Sequence, residues 1–320
     1  MKAAVTGPDI AVAVASHARP LRLLWLLNAL EEQSLDRAHW EVVVAHDSGR
    51  DSETERIVAT HPLAAAGVLR HATLDHHAGP AELRNAAWRA TTAPLVAFTD
   101  DDCRPPPDWL ANALEAARAA PAAVVQGATR PDPDEAALLR AARARSVWIA
   151  PPTWQAQTCN IVYPRAVLER VGGFDDRGMP LCAGEDTDLF CRAGTPLVAA
   201  PQVLTYHAVE PMSFAARARY AWRWRQLPAL VARHPELRRH AELGVFWKRR
   251  HARFVLALAG VAFRRPALAL PWAVAALPSY GPSPRGRLRA VSELPGQALV
   301  DAVEVAALAA GSARHRTLFL

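Results

Sequence analysis

The sequence predicts an α/β protein: a mostly parallel, doubly wound sheet over residues 1–210, followed by a basic helical region over 211–320. Three observations carry this. Short apolar runs alternate with stretches of helical spacing through the first two thirds of the chain, the pattern left by a parallel sheet with crossover helices. Polar residues collect where the first, second and fourth runs end, and open α/β sheets bind ligands outside the carboxyl ends of their strands. Charge then changes sign along the chain. Residues 1–210 carry 19 Lys and Arg against 26 Asp and Glu (−7); residues 211–320 carry 18 against 5 (+13), which sums to the net +6.

Ile10–Ser16 reads as a buried first strand, and Leu23, Leu26, Leu27 and Leu30 give Leu21–Glu32 helical spacing. Glu41–Ala45 is a second buried strand that runs into His46-Asp47-Ser48-Gly49. Ser52–Thr60 reads as helix, Val68–His71 as a short strand and Pro80–Ala90 as helix. The fourth strand, Pro94–Thr99, ends in Asp100-Asp101-Asp102, and Pro105-Pro106-Pro107 stops it from continuing as sheet. Three adjacent like charges repel, so either they form a solvated acidic turn or they hold something positive. Mg²⁺ and Mn²⁺ take such carboxylates together with substrate phosphates. Asp108 is expected to cap a helix over Trp109–Ala119. Strands are expected at Ala122–Gly127, Thr158–Tyr163, Pro196–Ala200 and Val203–His207. Helices are expected at Pro131–Arg145, at Pro164–Val171 and from Gly184 to about Ala193.

Cys103, Cys159, Cys182 and Cys191 show neither CxxC nor metal-type spacing, which suits a reduced cytosolic chain. Met1–Asp9 lacks the pattern of a signal peptide. Beyond Pro211, Arg217, Arg219, Arg223 and Arg225 interleave with Tyr220, Trp222 and Trp224. Two apolar runs, Phe254–Phe263 and Ala267–Leu277, flank Arg264-Arg265-Pro266, and each is about half the ~20 residues a spanning helix needs. They are expected either to lie on a membrane, with Trp222, Trp224, Trp247 and Trp272 at headgroup depth, or to form the core of a soluble helical subdomain. The long apolar runs suit lipid better than nucleic acid.

Six segments in order then resemble the GT-A, family-2 glycosyltransferases. They are Ser16-His-Ala-Arg-Pro20, Val43-Val44-Ala-His-Asp47-Ser, Glu82-Leu-Arg84-Asn85, Phe98-Thr-Asp100-Asp101-Asp102, Gly172-Gly173-Phe174-Asp175 and Gly184-Glu185-Asp186. The resemblance implies an inverting enzyme that moves one sugar from a nucleotide-diphosphate donor, with Mn²⁺ or Mg²⁺, to a glycan or lipid-linked acceptor. It assigns the donor to Ser16, Arg19, Asp47, Arg84, Asp100 and Asp101. Asp47 would accept from the base, Arg84 would reach the nucleotide and Asp101 would hold the ribose. The metal falls to Asp102 and His207, catalysis to Asp186 with Glu185 beside it, and the acceptor or sugar pocket to Gly173 and Asn160.

Read alone, Asp47 is a turn former and Glu185-Asp186 is favourable charge at a helix N-terminus, which would lower a carboxylate's pKa and weaken it as a base. His46-Asp47-Ser48 stands where many relatives have Asp-Asp-Gly, leaving uridine, guanosine and thymidine open. Tyr220-Ala-Trp-Arg223-Trp224 lacks the glutamine of processive synthases, which favours single-sugar transfer. Sugar nucleotidyl transfer would need a glycine-rich triphosphate loop that Ser16–Leu21 does not supply. A membrane-docked nucleotide-sugar binding module without activity is the non-enzymatic alternative. The expected location is the cytoplasmic face of the cell membrane, as a peripheral or monotopic protein.

Overall fold

The computed structural model describes residues 7–49, 52–179 and 183–320. Cys182 and the first six residues, both read above, lie outside the described residues. Contacts divide the chain into Met1–Ala137 with Ser146–Glu210, and Leu138–Arg145 with Pro211–Leu320.

In the first unit the strands are β1 (Ile10–Ser16), β2 (Trp40–His46), β3 (Leu69–Thr73), β4 (Leu95–Asp100), β5 (Cys103–Arg104), β6 (Val124–Pro131), β7 (Asn160–Pro164) and β8 (Leu197–His207). The helices are α1 (Pro20–Glu31), α2 (Glu53–Thr60), α3 (Pro62–Ala65), α4 (Pro80–Ala90), α5 (Trp109–Ala119), α6 (Arg165–Val171) and α7 (Glu185–Ala193). Among the described residues the strands form one eight-stranded sheet in the order β3-β2-β1-β4-β7-β6-β8-β5.

Strands β3, β2, β1 and β4 run parallel, in a register that pairs Ser16 with His46 and Ala15 with Asp100. The polar ends of three strands are therefore level at one edge. Alternate residues of these strands face opposite layers, as a two-residue period requires. Ile10, Val12, Val14, Val42 and Val44 join a core with Leu23, Leu27, Trp109 and Leu110, while Ala13, Val43 and Phe98 join one with Leu83, Trp88, Tyr163 and Phe174.

The other half of the sheet is mixed, with β6 and β8 parallel. Strand β7 is antiparallel to both β4 and β6, and β5 is antiparallel to β8. The stretch between β6 and β7 contains a 3₁₀ segment, Pro133–Arg140, where an α-helix over Pro131–Arg145 was expected. Asp132 caps the Asp134 N–H at 2.9 Å and is clamped by Arg104 at 2.8 and 2.6 Å. Without a crossover helix the chain returns antiparallel.

The cap of α5 also differs from expectation. Asp108 makes no capping bond to the helix and accepts instead from Ser34 Oγ at 2.8 Å, while Gln33 Oε1 receives the Leu110 N–H at 2.9 Å.

The second unit is helical: α8 (Phe214–Trp222), α9 (Leu227–Arg233), α10 (Arg249–Ala262), α11 (Leu270–Ala276), α12 (Pro284–Ser292) and α13 (Leu294–His315), with 3₁₀ turns between several of them. Its interior carries charge. Glu304 and Asp301 of α13 are both 0% exposed. Glu304 accepts from Lys248 at 2.6 Å and His251 at 2.9 Å and pairs with Arg217 at 3.3 Å; Asp301 accepts from Arg250 at 3.1 Å and the Trp272 indole at 2.9 Å. Trp272 is thus a core residue held by Asp301, not an indole at headgroup depth.

The apolar sequence runs fall on α10 and α11, as their lengths suggest. Sequence reading missed that Pro284–His315, the stretch of α12 and α13, is by length and composition long and apolar enough to cross a membrane.

Asn160 is the keystone of the β6–β8 irregularity. Its Nδ2 donates to the carbonyls of Ala128 and Val203, both at 2.7 Å, and its Oδ1 accepts from Trp109 Nε1 at 2.9 Å. Gly127 lies against it, and a Cβ there would meet Val203 O at 2.2 Å. Asn160→Ala leaves these groups buried and unpaired, so it should lower stability by about 2–4 kcal/mol in urea unfolding. A loss under about 1 kcal/mol would contradict this role.

Candidate active site

The level edge of β1, β2 and β4 gathers the acidic groups. The triplet after β4 is held from β1: Ser16 Oγ donates to Asp101 Oδ2 at 2.9 Å, and Arg19 Nη1 meets Asp102 Oδ2 at 2.6 Å and Asp101 Oδ1 at 3.6 Å. Arg19 also pairs with Glu210 at 3.2 Å. Asp101 and Asp102 are each 5% exposed. Burial and the neighbouring Asp102 charge push the Asp101 carboxyl up to about 7. Burial also pushes on Asp100, but the Arg84 guanidinium and His207 hold it below the usual carboxylate range.

Arg84 comes from α4, which opens on Gly79 and Pro80. It is 5% exposed and spans two carboxylate-bearing segments. Its Nη2 donates to Asp100 Oδ1 and its Nη1 to Glu185 Oε1, both at 3.0 Å, with Asp186 Oδ1 at 3.6 Å. Gly184 precedes α7 at φ +105°, a left-handed conformation that favours glycine, and so turns Glu185 and Asp186 into the first helical turn.

These two neighbours are treated differently. Glu185 is 2% exposed and bound to Arg84. Asp186 accepts from Thr158 N at 3.1 Å and Thr158 Oγ1 at 3.0 Å. Burial, then the Glu185 charge, raises Asp186 to about 7 against the opposing pull of Arg84. The helix N-terminus does not make it a weak base here.

His207 at the end of β8 completes the cluster. Its Nδ1 donates to the Ala208 carbonyl at 2.9 Å, and its Nε2 lies 3.3 Å from Asp102 Oδ1. Ligand atoms of Asp100, Asp102 and His207 lie within 4.8 Å of one another. Two carboxylates and one imidazole, with no sulfur, suit Mn²⁺ or Mg²⁺. The residues fit a divalent cation.

Asp47, at the end of β2, has its carboxylate flanked by His17 Nδ1 at 2.6 Å and His77 Nδ1 at 2.9 Å, with the Ala78 N–H at 3.0 Å. Although burial opposes it, these donors hold its pKa below the usual range.

The structure therefore gathers Ser16, Arg19, Arg84, Asp100, Asp101, Asp102, Glu185, Asp186 and His207, with Asp47 on the neighbouring strand end. Three expectations change. Glu185, expected to share catalysis, is buried against Arg84, and Arg84, expected at the nucleotide, ties Asp100 to α7. Asn160 and Gly173, expected in a sugar pocket, have structural jobs. Asn160 is 0% exposed within the sheet, and a Cβ on Gly173 (φ +78°) would meet Asn85 Oδ1 at 2.4 Å. Thr158, His77 and Glu210 escaped sequence reading. Only the two histidines just before Gly79-Pro80 carried a visible signal, a pair of imidazoles in a loop that leads into a helix.

Comparison with known proteins agrees with this geometry. The chain is 28% identical over 224 residues to the succinoglycan biosynthesis protein ExoM of Rhizobium meliloti (strain 1021), covering 67% of this chain and 70% of that protein. Its fold is similar to that of mannosyltransferase PcManGT from Pyrobaculum calidifontis, solved with GDP-Man and Mn²⁺, at a TM-score of 0.57 and 22% identity over 97% of this chain and 88% of that one. It is also similar to S. aureus TarS 1-349 in complex with UDP-GlcNAc, at a TM-score of 0.52 and 15% identity over 97% of this chain and 92% of that one. Residues 11–171, half of the chain, match glycosyl transferase family 2. The chain therefore belongs to glycosyl transferase family 2, and it is a glycosyltransferase.

Proposed function

We propose that the protein moves a single sugar from a nucleotide-diphosphate donor to an acceptor hydroxyl with inversion at the anomeric carbon. The observation that carries this is Asp186, raised to about 7 and oriented by both Thr158 donors beside the Asp100–Asp102–His207 cluster. A carboxylate with that pKa is matched to general-base work near neutral pH. In the step, Asp186 takes the acceptor hydroxyl's proton as its oxygen attacks the anomeric carbon. The bond from that carbon to the diphosphate oxygen breaks, and the nucleoside diphosphate leaves from the opposite face. Asp100, Asp102 and His207 would hold a divalent cation, which when bound offsets charge on the departing diphosphate. Asp101, held by Ser16, is available to the ribose, and Asp47 to a ring N–H of the base.

For the acceptor we infer a glycan or lipid-linked glycan at a membrane surface. The relative named for succinoglycan biosynthesis supports glycan assembly. The second unit supports the location: Val261, Phe263, Leu270 and Val274 are 70%, 76%, 63% and 70% exposed on and between α10 and α11, beside Arg264 and Arg265. Residues 211–320 carry the +13 charge noted above, and each Lys or Arg near an anionic bilayer contributes about 1 kcal/mol. A peripheral or monotopic protein on the cytoplasmic face follows from this reading.

Kinetics and vesicle flotation test it. Because Asp186 must be unprotonated to accept a proton, kcat/KM for the acceptor should rise with pH through about 7. Asp186→Asn should keep donor binding while kcat falls by about 10²-fold or more and this limb disappears. Near-normal turnover in that variant would assign the base elsewhere. The full chain should float with anionic liposomes, and the triple variant Phe263→Glu, Leu270→Glu, Val274→Glu should stay at the bottom of the gradient. A wild-type chain that never associates with vesicles would remove the membrane from the account.

A further inference from the structure

The carboxylate of Asp47 is the meeting point of two imidazoles that the transfer chemistry does not need. His17 follows β1, and His77 lies in the loop before α4. The two ring centroids are 4.9 Å apart, and Nδ1 of each ring faces a different oxygen of Asp47. Ligand atoms of His17, Asp47 and His77 all lie within 4.8 Å of one another.

The three groups differ in access. The Asp47 side chain is 0% exposed, while those of His17 and His77 are 55% and 81% exposed. The carboxylate is also fixed by the Ala78 N–H at 3.0 Å, the kind of outer hydrogen bond that orients a metal ligand. Among the described residues, no Lys or Arg pairs with Asp47.

We propose that His17, Asp47 and His77 form a second divalent-metal site that takes a borderline transition ion, Zn²⁺ in particular, in preference to Mg²⁺ or Mn²⁺. Two imidazole nitrogens and one carboxylate oxygen are a zinc-type donor set that leaves a position open to water or ligand. The Asp100–Asp102–His207 cluster has the opposite balance, two carboxylates to one imidazole, and suits the harder ions.

Without metal, each Nδ1–H donates to Asp47. For the rings to ligate through Nδ1, that proton must leave, and the neutral tautomer carries one on Nε2 instead. With both rings open to water, the new N–H needs no buried partner. By contrast, the buried His251–Asp301–Glu304 group is already held by Lys248, Arg250 and Arg217, so an added cation would meet like charge.

Metal at this site would occupy the oxygens that a nucleotide base would use, and so oppose donor binding. That consequence rests on the reading of Asp47 given under the proposed function; the metal binding does not.

The test is a calorimetric titration of Zn²⁺ alone, without nucleotide, into the full chain, its Asp102→Asn form and its His17→Ala/His77→Ala form. The proposal expects Asp102→Asn to keep a zinc site of wild-type affinity. It expects the double histidine variant to lose that site or weaken it by about 10-fold or more, the scale on which even outer partners of metal ligands act. Both histidines are on the surface, and without metal each of the three proteins should show a cooperative thermal melt, so that a lost site is not a lost fold. Wild-type zinc affinity in the double variant, or zinc binding abolished by Asp102→Asn alone, would overturn it.

Discussion

Two guanidinium groups hold together what would otherwise be a repelling knot of carboxylates. Asp100, Asp101, Asp102, Glu185 and Asp186 converge from the end of β4 and the start of α7, and Asp101, Asp102 and Glu185 are 5%, 5% and 2% exposed. Taking such charge from water costs several kcal/mol per ion unless a partner offsets it. Arg84 bridges Asp100 to Glu185, and Arg19 takes Asp102. Their uneven reach separates the carboxylates: Asp100 is kept low, while Asp101 and Asp186, less well compensated, rise to about 7. One cluster thus sets an ionised carboxylate beside two that titrate near neutrality.

Much of this was legible because a two-residue period marks buried strands and glycine marks sharp starts. The run Ile10–Ser16, the acid-tipped strand and Gly184 are all where the sequence suggests. What sequence could not give is direction. Glu185 and Asp186 are adjacent, yet successive helical residues point about 100° apart, so one faces Arg84 and the other Thr158. Asn160 and Gly173 looked like pocket residues in a family pattern, but close packing against Gly127, Trp109 and Asn85 accounts for both. The antiparallel β7 was hidden because its apolar run reads the same in either direction.

The second unit was harder to read, for a related reason. The alanine-rich sequence of α13 carries Asp301 and Glu304, but only the structure shows that both are on its inner face. Their partners come from segments distant in sequence: Arg217, Lys248, Arg250, His251 and Trp272. Losing any one of these partners would leave an uncompensated charge buried among the helices. The same network draws Trp272 inward and leaves Phe263, Leu270 and Val274 as the exposed apolar groups.

The proposed mechanism requires that a cation held by Asp102 and His207 be coupled to the nucleotide diphosphate. Calorimetry of UDP, GDP and dTDP with and without Mn²⁺, on the wild-type chain and Asp102→Asn, tests that coupling directly. One of these nucleotides should bind more tightly with Mn²⁺, and Asp102→Asn should reduce that gain by about 10-fold or more. Equal affinity with and without Mn²⁺ in the wild type, or a gain unchanged by the substitution, would contradict it.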